Sequence, residues 1–242
     1  MKIPHPDEPA HLRRLFTREA QAAAQLRHPN IVAIHEIGED ENGPFIVSEL
    51  VDGVQLSVWS RTSSHSHRES AELCAVVAKA LHHAHQRGVI HRDLKPNNIL
   101  VDEDDMPHIV DFGLARRESA ASTLTTVGQP FGTLAYMSPE QARGMPGLAD
   151  ARSDVYSLGV VLYEMLTGRR PFMGEPATLV RQLLHDAPPK PRELDASISH
   201  RLQKVCMTCL EKEPERRFNT AYEMAGAIEK CWRSRGFHWP WS

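Results

Sequence analysis

The stretch from His91 to Gly113 constrains this chain more than any other part of its sequence. It reads His-Arg-Asp-Leu-Lys-Pro-Asn-Asn from residue 91 and closes on Asp-Phe-Gly. Asp93 can accept a proton, the amide oxygen of Asn98 follows, and the carboxylate of Asp111 lies beyond a short apolar hairpin. Phosphoryl transfer to a hydroxyl requires a group that orients the nucleophile and oxygen ligands that hold Mg²⁺. Two polar turns in an unrelated fold are the competing interpretation, and the spacing of the two motifs argues against it.

The two motifs resemble the catalytic loop and the Asp-Phe-Gly motif of the eukaryotic-type protein kinases, and the resemblance covers about residues 1–234. It implies an α+β protein-kinase-like fold with a small β lobe within residues 1–50 and a mainly helical large lobe over 51–234. An aromatic tail at 235–242 follows this domain. The segments Leu26–Val32 and Ser138–Gly144 look most like bacterial members of the family.

The resemblance implies a role for each polar side chain of the catalytic stretch. Asp93 resembles the base that accepts the proton of the substrate hydroxyl, and Thr133 resembles the threonine that bonds to this aspartate. Lys95 resembles the lysine that steadies the transferred phosphate in Ser/Thr kinases, whereas tyrosine kinases usually carry a different loop. Asn98 and Asp111 resemble the two magnesium ligands. The implied activity is transfer of the γ-phosphoryl group of ATP to a protein Ser or Thr hydroxyl, with ATP and Mg²⁺ as cofactors.

Other matches indicate residues that support or regulate the catalytic stretch. Asp154 resembles the buried aspartate that holds the catalytic-loop backbone, and Glu140 resembles a glutamate that pairs with a distant arginine, here Arg217. Arg92 precedes the catalytic aspartate, where an arginine often receives a phosphate from the activation loop. Thr125 is the preferred autophosphorylation site in that loop, and an unmodified polar loop is the alternative.

The resemblance also places a nucleotide pocket. Residues 45–53 resemble the last small-lobe strand and the hinge, so the backbone of Glu49 and Val51 would meet adenine. Leu100 would form the floor of the pocket. Glu19 resembles the helix glutamate that pairs with the ATP-binding lysine, and Lys2 is the plausible counterpart of that lysine.

The pattern breaks ahead of Lys2. The family normally begins with two strands joined by a Gly-rich loop, and the Val-Ala that precedes the lysine is missing here. We therefore expect an incomplete small lobe without its first two strands and Gly-rich loop, and weak or no ATP binding by the 242-residue chain. Two interpretations stay open. In the first, the start of the chain is misassigned or the gene is cut, and the parent protein is an active kinase. In the second, the chain is whole and acts as an interaction module with impaired catalysis.

The composition argues against several other classes of partner. The 28 basic and 31 acidic residues give a net charge of −3, which provides no basic field for nucleic acid. The apolar stretch Leu158–Leu162 is too short to span a bilayer, and no signal peptide is visible at the N-terminus. Four cysteines fit a reduced, cytoplasmic protein.

Three clusters of metal-type ligands have simpler interpretations. Cys206 and Cys209 form a CxxC, but neighbouring apolar residues recur with them at helical spacing, which favours burial on a helix over a zinc half-site. The acidic run 102–105 lies between two apolar segments, which favours a solvated hairpin turn over a cation site. The histidines at 82, 83 and 85 are interpreted as solvated or hydrogen-bonded.

Apolar periodicity and turn residues predict the remaining elements. Strands over 31–37 and 45–50 form a hairpin, and the loop over 114–137 is long enough to be functional. Helices are predicted over 11–27, from a capping box at Ser66 to Gly88, and over 154–166, 177–185, 198–211 and 221–234.

Overall fold

The computed structural model describes residues 10–40, 43–62, 64–112, 133–144 and 149–232. In these residues one helix packs on a two-stranded sheet to form a small lobe, and a larger, mainly helical lobe carries a second sheet of three strands. The architecture is the α+β arrangement of a small β lobe and a helical large lobe that the sequence predicts. Lys2, Gly113, Thr125 and the tail at 235–242 lie outside the described residues.

The small lobe consists of α1 (Ala10–Ala23) packed on a hairpin of β1 (Ile34–Asp40) and β2 (Gly43–Ser48). The two strands are antiparallel, with Ile37 opposite Ile46. Phe16 and Ala20 from α1 are fully buried against Ile46 of the sheet. The predicted hairpin is confirmed, although its first strand begins at Ile34 and the prediction placed the start at Ile31.

This shift in the first strand has a cause in the large lobe. Ile31 forms an isolated parallel bridge with Ile109, and the Val32 N–H donates to the Ile109 carbonyl at 3.0 Å. The buried side chain of Asn30 donates to the carbonyl of Pro107 at 2.8 Å. Residues 30–32 therefore pair with the large lobe before the chain enters the hairpin.

The large lobe is organised around two long helices, α3 (His67–His85) and α5 (Ala151–Thr167). The predicted capping box opens α3: the Ser66 hydroxyl accepts from the Glu69 N–H at 3.2 Å, and the Glu69 carboxylate accepts from the Ser66 N–H at 2.7 Å. Gly168 closes α5 in the left-handed conformation, with φ 71°. The other helices are α2 (Leu56–Thr62), α4 (Pro139–Ala142), α6 (Pro176–His185), α7 (Pro191–Leu194), α8 (His200–Cys209) and α9 (Ala221–Lys230).

A three-stranded antiparallel sheet lies beside these helices, in the order β3 (Gly53–Gln55), β4 (Ile99–Asp102) and β5 (Pro107–Ile109). The acidic run joins β4 to β5 in a tight turn, as predicted. The Asp102 carboxylate accepts from the N–H groups of Asp104 and Met106 at 3.0 and 2.9 Å. Across the described ranges, no group of three or more His, Cys, Asp or Glu side chains is placed to hold a metal.

The CxxC cysteines are buried where α8 packs on α5. Cys206 and Cys209 are free thiols with no exposed surface, and burial raises the pKa of both thiols. Gly159 of α5 makes this close approach possible, because a Cβ there would lie 2.4 Å from the Cβ of Cys209. The interpretation as core residues is confirmed. None of the helices in the described part is both long and apolar enough to cross a membrane.

Candidate active site

A single buried carboxylate holds the backbone of the loop between α3 and β4. Asp154, in the first turn of α5, accepts hydrogen bonds from the backbone N–H groups of His91 and Arg92, both at 2.8 Å. Burial opposes the charge of Asp154, but hydrogen bonds and the charges of His85 and His91 outweigh it and lower the pKa of this carboxyl group. Arg92 is held at φ 66°, a conformation that is unfavourable for a residue with a side chain. The carboxylate therefore supports a loop shape that the local sequence does not favour.

His85 is a support that the sequence did not single out. Its Nε2 lies 2.8 Å from Oδ2 of Asp154, and only 7% of its side chain is exposed. It stands in the last turn of α3, directly before the catalytic loop. His82 and His83 lie in the same run of the sequence, so only the packing of α3 against α5 distinguishes His85 from them.

Three polar side chains, Asp93, Lys95 and Thr133, form a connected row across the loop and the 133–144 segment, and Asn98 bonds to the same aspartate. The Lys95 ammonium donates to Oδ2 of Asp93 at 2.8 Å and to the hydroxyl of Thr133 at 2.9 Å. The Asn98 amide donates to the backbone carbonyl of Asp93 at 2.7 Å and to its Oδ2 at 3.2 Å. The resemblance predicted that Thr133 bonds to the aspartate, and in the described residues it reaches Asp93 through Lys95.

The two predicted magnesium ligands come from neighbouring segments. Asn98 ends a 3-10 turn, and its backbone carbonyl accepts from the Val110 N–H at 3.0 Å. Asp111 follows directly, with an exposed side chain and φ 64°. Because the Asn98 amide nitrogen faces Asp93, its oxygen is the atom that remains for a ligand. One amide oxygen and one carboxylate are hard donors that suit Mg²⁺, which fills its other positions with phosphate oxygens and water.

An aromatic contact fixes the start of the segment after Asp111. Phe112 is buried, and its ring lies 4.9 Å from the ring of His91, centroid to centroid. The Nε2 atom of His91 lies 2.9 Å from the Val110 carbonyl. His91 of the catalytic loop thus contacts the residues on both sides of Asp111.

Glu140 and Arg217 are brought together in the interior of the large lobe. Two parallel hydrogen bonds of 2.8 and 2.7 Å join the guanidinium to the carboxylate, and both side chains are at most 2% exposed. The hydroxyl of Ser153 also donates to Glu140, at 2.7 Å. Burial raises the pKa of Glu140, but the hydrogen bond and charge of Arg217 outweigh burial and lower it.

Gln141, beside this pair, is a second contact that the sequence did not single out. Its side-chain N–H donates to the backbone carbonyl of Arg92 at 2.8 Å, which ties the 133–144 segment to the catalytic loop. Its oxygen accepts from the backbone N–H of Ser138 at 3.0 Å, in a capping box at the start of α4. The Ser-x-x-Gln pattern is a recognisable signal for the cap, but the contact with the loop depends on tertiary structure.

Comparison with known proteins places this site in a family. The chain matches the model of the protein kinase domain over residues 2–231. It belongs to the protein kinase family. The kinase is 44% identical over 215 residues to the serine/threonine-protein kinase PknB of Mycobacterium leprae and 38% identical over 218 residues to the serine/threonine-protein kinase PrkC of Bacillus subtilis.

These matches cover most of this chain but only part of each relative. They cover 86% and 89% of this chain but 34% and 33% of PknB and PrkC, so the chain spans about a third of the length of the curated relatives it matches. The solved kinase domain of PknI from Mycobacterium tuberculosis superposes with a TM-score of 0.73 at 29% identity, over 93% of this chain and 81% of that one. By family, the chain belongs with the bacterial serine/threonine protein kinases.

The residues predicted to meet the nucleotide lie at the junction of the two lobes of the kinase. Glu49 and Val51 stand between β2 and β3, and the Glu49 N–H donates to the Ala33 carbonyl at 2.8 Å. Leu100 is half-buried on β4, opposite Gln55 of β3. The predicted hinge therefore leads into β3, and the predicted pocket floor lies on β4, the strand that pairs with β3.

One contact in the kinase pairs two residues to which the sequence assigned different partners. A guanidinium nitrogen of Arg92 lies 3.3 Å from Oε1 of Glu19, and both side chains are largely buried. The predicted partners were Lys2 for Glu19 and a phosphate on Thr125 for Arg92, and both partners lie outside the described residues. The contact links α1 directly to the catalytic loop, and nothing in the sequence signals it because the two residues are 73 positions apart.

Proposed function

We propose that this chain transfers the γ-phosphoryl group of ATP to the hydroxyl of a Ser or Thr residue in a protein substrate. The observation that carries this proposal is the row of Asp93, Lys95 and Thr133 on a loop held by buried Asp154. The row offers a proton acceptor and a cation next to each other, which is what a hydroxyl attacking a phosphoryl group needs.

Each side chain has a part in this mechanism. Asp93 orients the substrate hydroxyl and accepts its proton, using Oδ1, because Oδ2 is occupied by Lys95 and Asn98. The Lys95 ammonium stabilises negative charge on the phosphoryl oxygens, and Thr133 holds Lys95 in place. Lys95 at this position supports a Ser/Thr substrate over a tyrosine substrate.

Further residues are proposed to hold the nucleotide and metal. Asn98 and Asp111 would hold Mg²⁺, which supplies charge neutralisation at the phosphates when bound. The backbone of Glu49 and Val51 and the side chain of Leu100 would surround adenine. The pairing of Glu19 with Lys2 completes the proposed ATP site.

The extent and regulation of the domain are proposals as well. The kinase domain would cover residues 1–234, divided near residue 50, with 235–242 outside it. A phosphate on Thr125 would bind Arg92 in place of Glu19. The four free thiols and the need for ATP support a cytoplasmic site of action. Neither nucleic acid nor a membrane is a proposed partner of this chain.

The catalytic proposal is tested by radiolabel transfer from ATP to a Ser/Thr protein substrate in the presence of Mg²⁺. We expect Asp93→Asn to lower the rate by about 10²–10⁴-fold. Asp104→Asn, in the exposed turn after β4, is the matched control and should leave the rate unchanged. Equal rates in Asp93→Asn and the parent chain would overturn the assignment.

A second candidate is a kinase domain with impaired catalysis that acts as an interaction module. The Glu19–Arg92 contact favours it, since it engages a residue that the ATP site would use. This candidate predicts weak binding of Mg-ATP by the 242-residue chain. Calorimetry with Mg-ATP tests this point, and micromolar affinity would contradict it.

A further inference from the structure

A cleft of about 480 Å³ opens beside Lys95 and Thr133, and the proposed mechanism does not use it. Its walls come from α2, from the 3-10 turn that follows Lys95, from Tyr136 and from the end of α5 with the chain beyond it. Because Lys95 and Thr133 are among the residues that line it, a group bound in the cleft would lie next to the acceptor hydroxyl. The cleft is therefore suited to a substrate residue close to the one that is phosphorylated.

The charges in this cleft are mostly positive. Arg61 lies in the last turn of α2, and Arg170 follows α5; both line the cleft. Within the described residues, neither arginine has a carboxylate at ion-pair distance. Of the described residues that line the cleft, Glu164 is the one with a carboxylate, so the two arginines outnumber the acids there. A cleft with one dominant sign of charge concentrates ligands of the opposite sign.

The carboxylate of Glu164 already accepts a hydrogen bond. The Tyr136 hydroxyl donates to Glu164 at 2.5 Å. Burial, with the charge of Glu164, raises the pKa of Tyr136 well above its usual range, so the phenol keeps its proton and remains a donor. The charges of Arg170 and Arg61 oppose this rise in the pKa of Tyr136. Both arginines line the cleft together with Tyr136.

We propose that this cleft binds an anionic side chain of the protein substrate, close to the phosphorylated residue, through Arg61 and Arg170. The ligand is a carboxylate or a phosphate, because the planar guanidinium group donates two parallel hydrogen bonds to either anion. Ser57 and Ser60 line the same cleft, and a serine hydroxyl can donate to either anion. The inference rests on the proposed function, since it assigns a substrate class to the same site.

Binding is measured separately from catalysis, by fluorescence anisotropy of labelled threonine peptides. One peptide series moves a single glutamate stepwise along an alanine background, and a second series carries phosphoserine at the same positions. We expect at least one position where the anion tightens binding about threefold to tenfold over alanine, the range for a partly exposed charged hydrogen bond. A preference for phosphoserine over glutamate would identify a previously phosphorylated substrate, and the reverse would identify an acidic one.

The variants Arg61→Gln and Arg170→Gln should each remove most of that gain without changing the affinity for the alanine peptide. Arg169→Gln is the matched control, because Arg169 is exposed next to Arg170 but does not line the cleft. In the double variant Arg61→Glu with Arg170→Glu, the preference should reverse toward a lysine peptide, and such a reversal cannot arise from misfolding.

The outcomes separate the specificity from the activity. Anion-dependent binding by a chain that transfers no phosphate would support the cleft and refute catalysis. Equal affinity for the alanine, glutamate and phosphoserine peptides would overturn the cleft assignment, whether or not phosphate is transferred. Loss of the anion preference in Arg169→Gln to the same degree as in Arg170→Gln would also overturn it.

Discussion

Replacing Glu140 by glutamine tests whether the buried ion pair with Arg217 stabilises the large lobe. The side chains of Glu140 and Arg217 are 2% and 0% exposed, so neither charge is screened by water. Glutamine keeps the shape of the side chain and one oxygen acceptor but removes the negative charge. The guanidinium of Arg217 then remains buried with neutral acceptors only, among them the carbonyls of Arg152 and Lys212 at 3.0 and 2.9 Å.

The expected loss in the free energy of unfolding at neutral pH is about 3–5 kcal/mol, the usual cost of breaking a buried pair by removing one partner. Domains of this kind unfold with about 5–15 kcal/mol, so the variant should lose a large part of its stability. The change should appear as a lower denaturation midpoint in urea, followed by circular dichroism, with an unchanged slope.

Two comparisons make this prediction specific. Arg181 and Asp186 form a pair with side chains 61% and 37% exposed, so Asp186→Asn should change the free energy of unfolding by less than about 1 kcal/mol. Ser153→Ala removes one hydrogen bond to Glu140 and should cost about 1 kcal/mol. If Glu140→Gln were no more destabilising than Asp186→Asn, the ion pair would not be stabilising the lobe.

The same pair predicts a pH dependence. The pKa of Glu140 is lowered in the folded state from its usual value of 4.5, so its contribution is fully present above that value. It is lost as the pH falls below 4.5 and through the folded pKa, because the unfolded chain then binds the proton first. Stability of the parent chain should therefore fall more steeply with acid in this window than stability of Glu140→Gln, as measured by urea midpoints.

Three further predictions concern the catalytic loop and a helix cap. Lys95→Met should lower phosphate transfer by about 10²-fold or more while leaving the circular dichroism spectrum unchanged; an unaltered rate would remove Lys95 from the mechanism. Asp154→Asn should cost about 2–4 kcal/mol in the free energy of unfolding, because the amide cannot accept from two backbone N–H groups and His85 as the carboxylate does. A melting temperature within about 1 °C of that of the parent chain, roughly 0.3 kcal/mol, would contradict this. Ser66→Ala should cost about 1 kcal/mol through the lost cap of α3, whereas Ser64→Ala, at an exposed position before it, should cost nothing measurable in the same urea titration.

The sequence by itself determined the helix caps and turns of this protein, whose hydrogen bonds join residues a few positions apart. The capping box at Ser66, the left-handed Gly168 and the turn around Asp102 each satisfy backbone groups within about four positions, so a pattern of residue types is enough to predict them. The motif at 91–111 is equally local in spacing, and it indicated the family before any fold was known.

Contacts between distant parts of the chain could be decided only by the tertiary structure. Ile31 leaves the predicted strand because Ile109 pairs with it, and His85 differs from its neighbours only because α5 presents Asp154 to it. Glu19 meets Arg92 across 73 positions. Arg61 in the last turn of α2 lines the same cleft as Arg170, which follows α5. Such pairs depend on which faces of the helices and strands pack against one another. The spacing of apolar residues in the sequence indicates which face is buried, but it does not indicate which other element packs on that face.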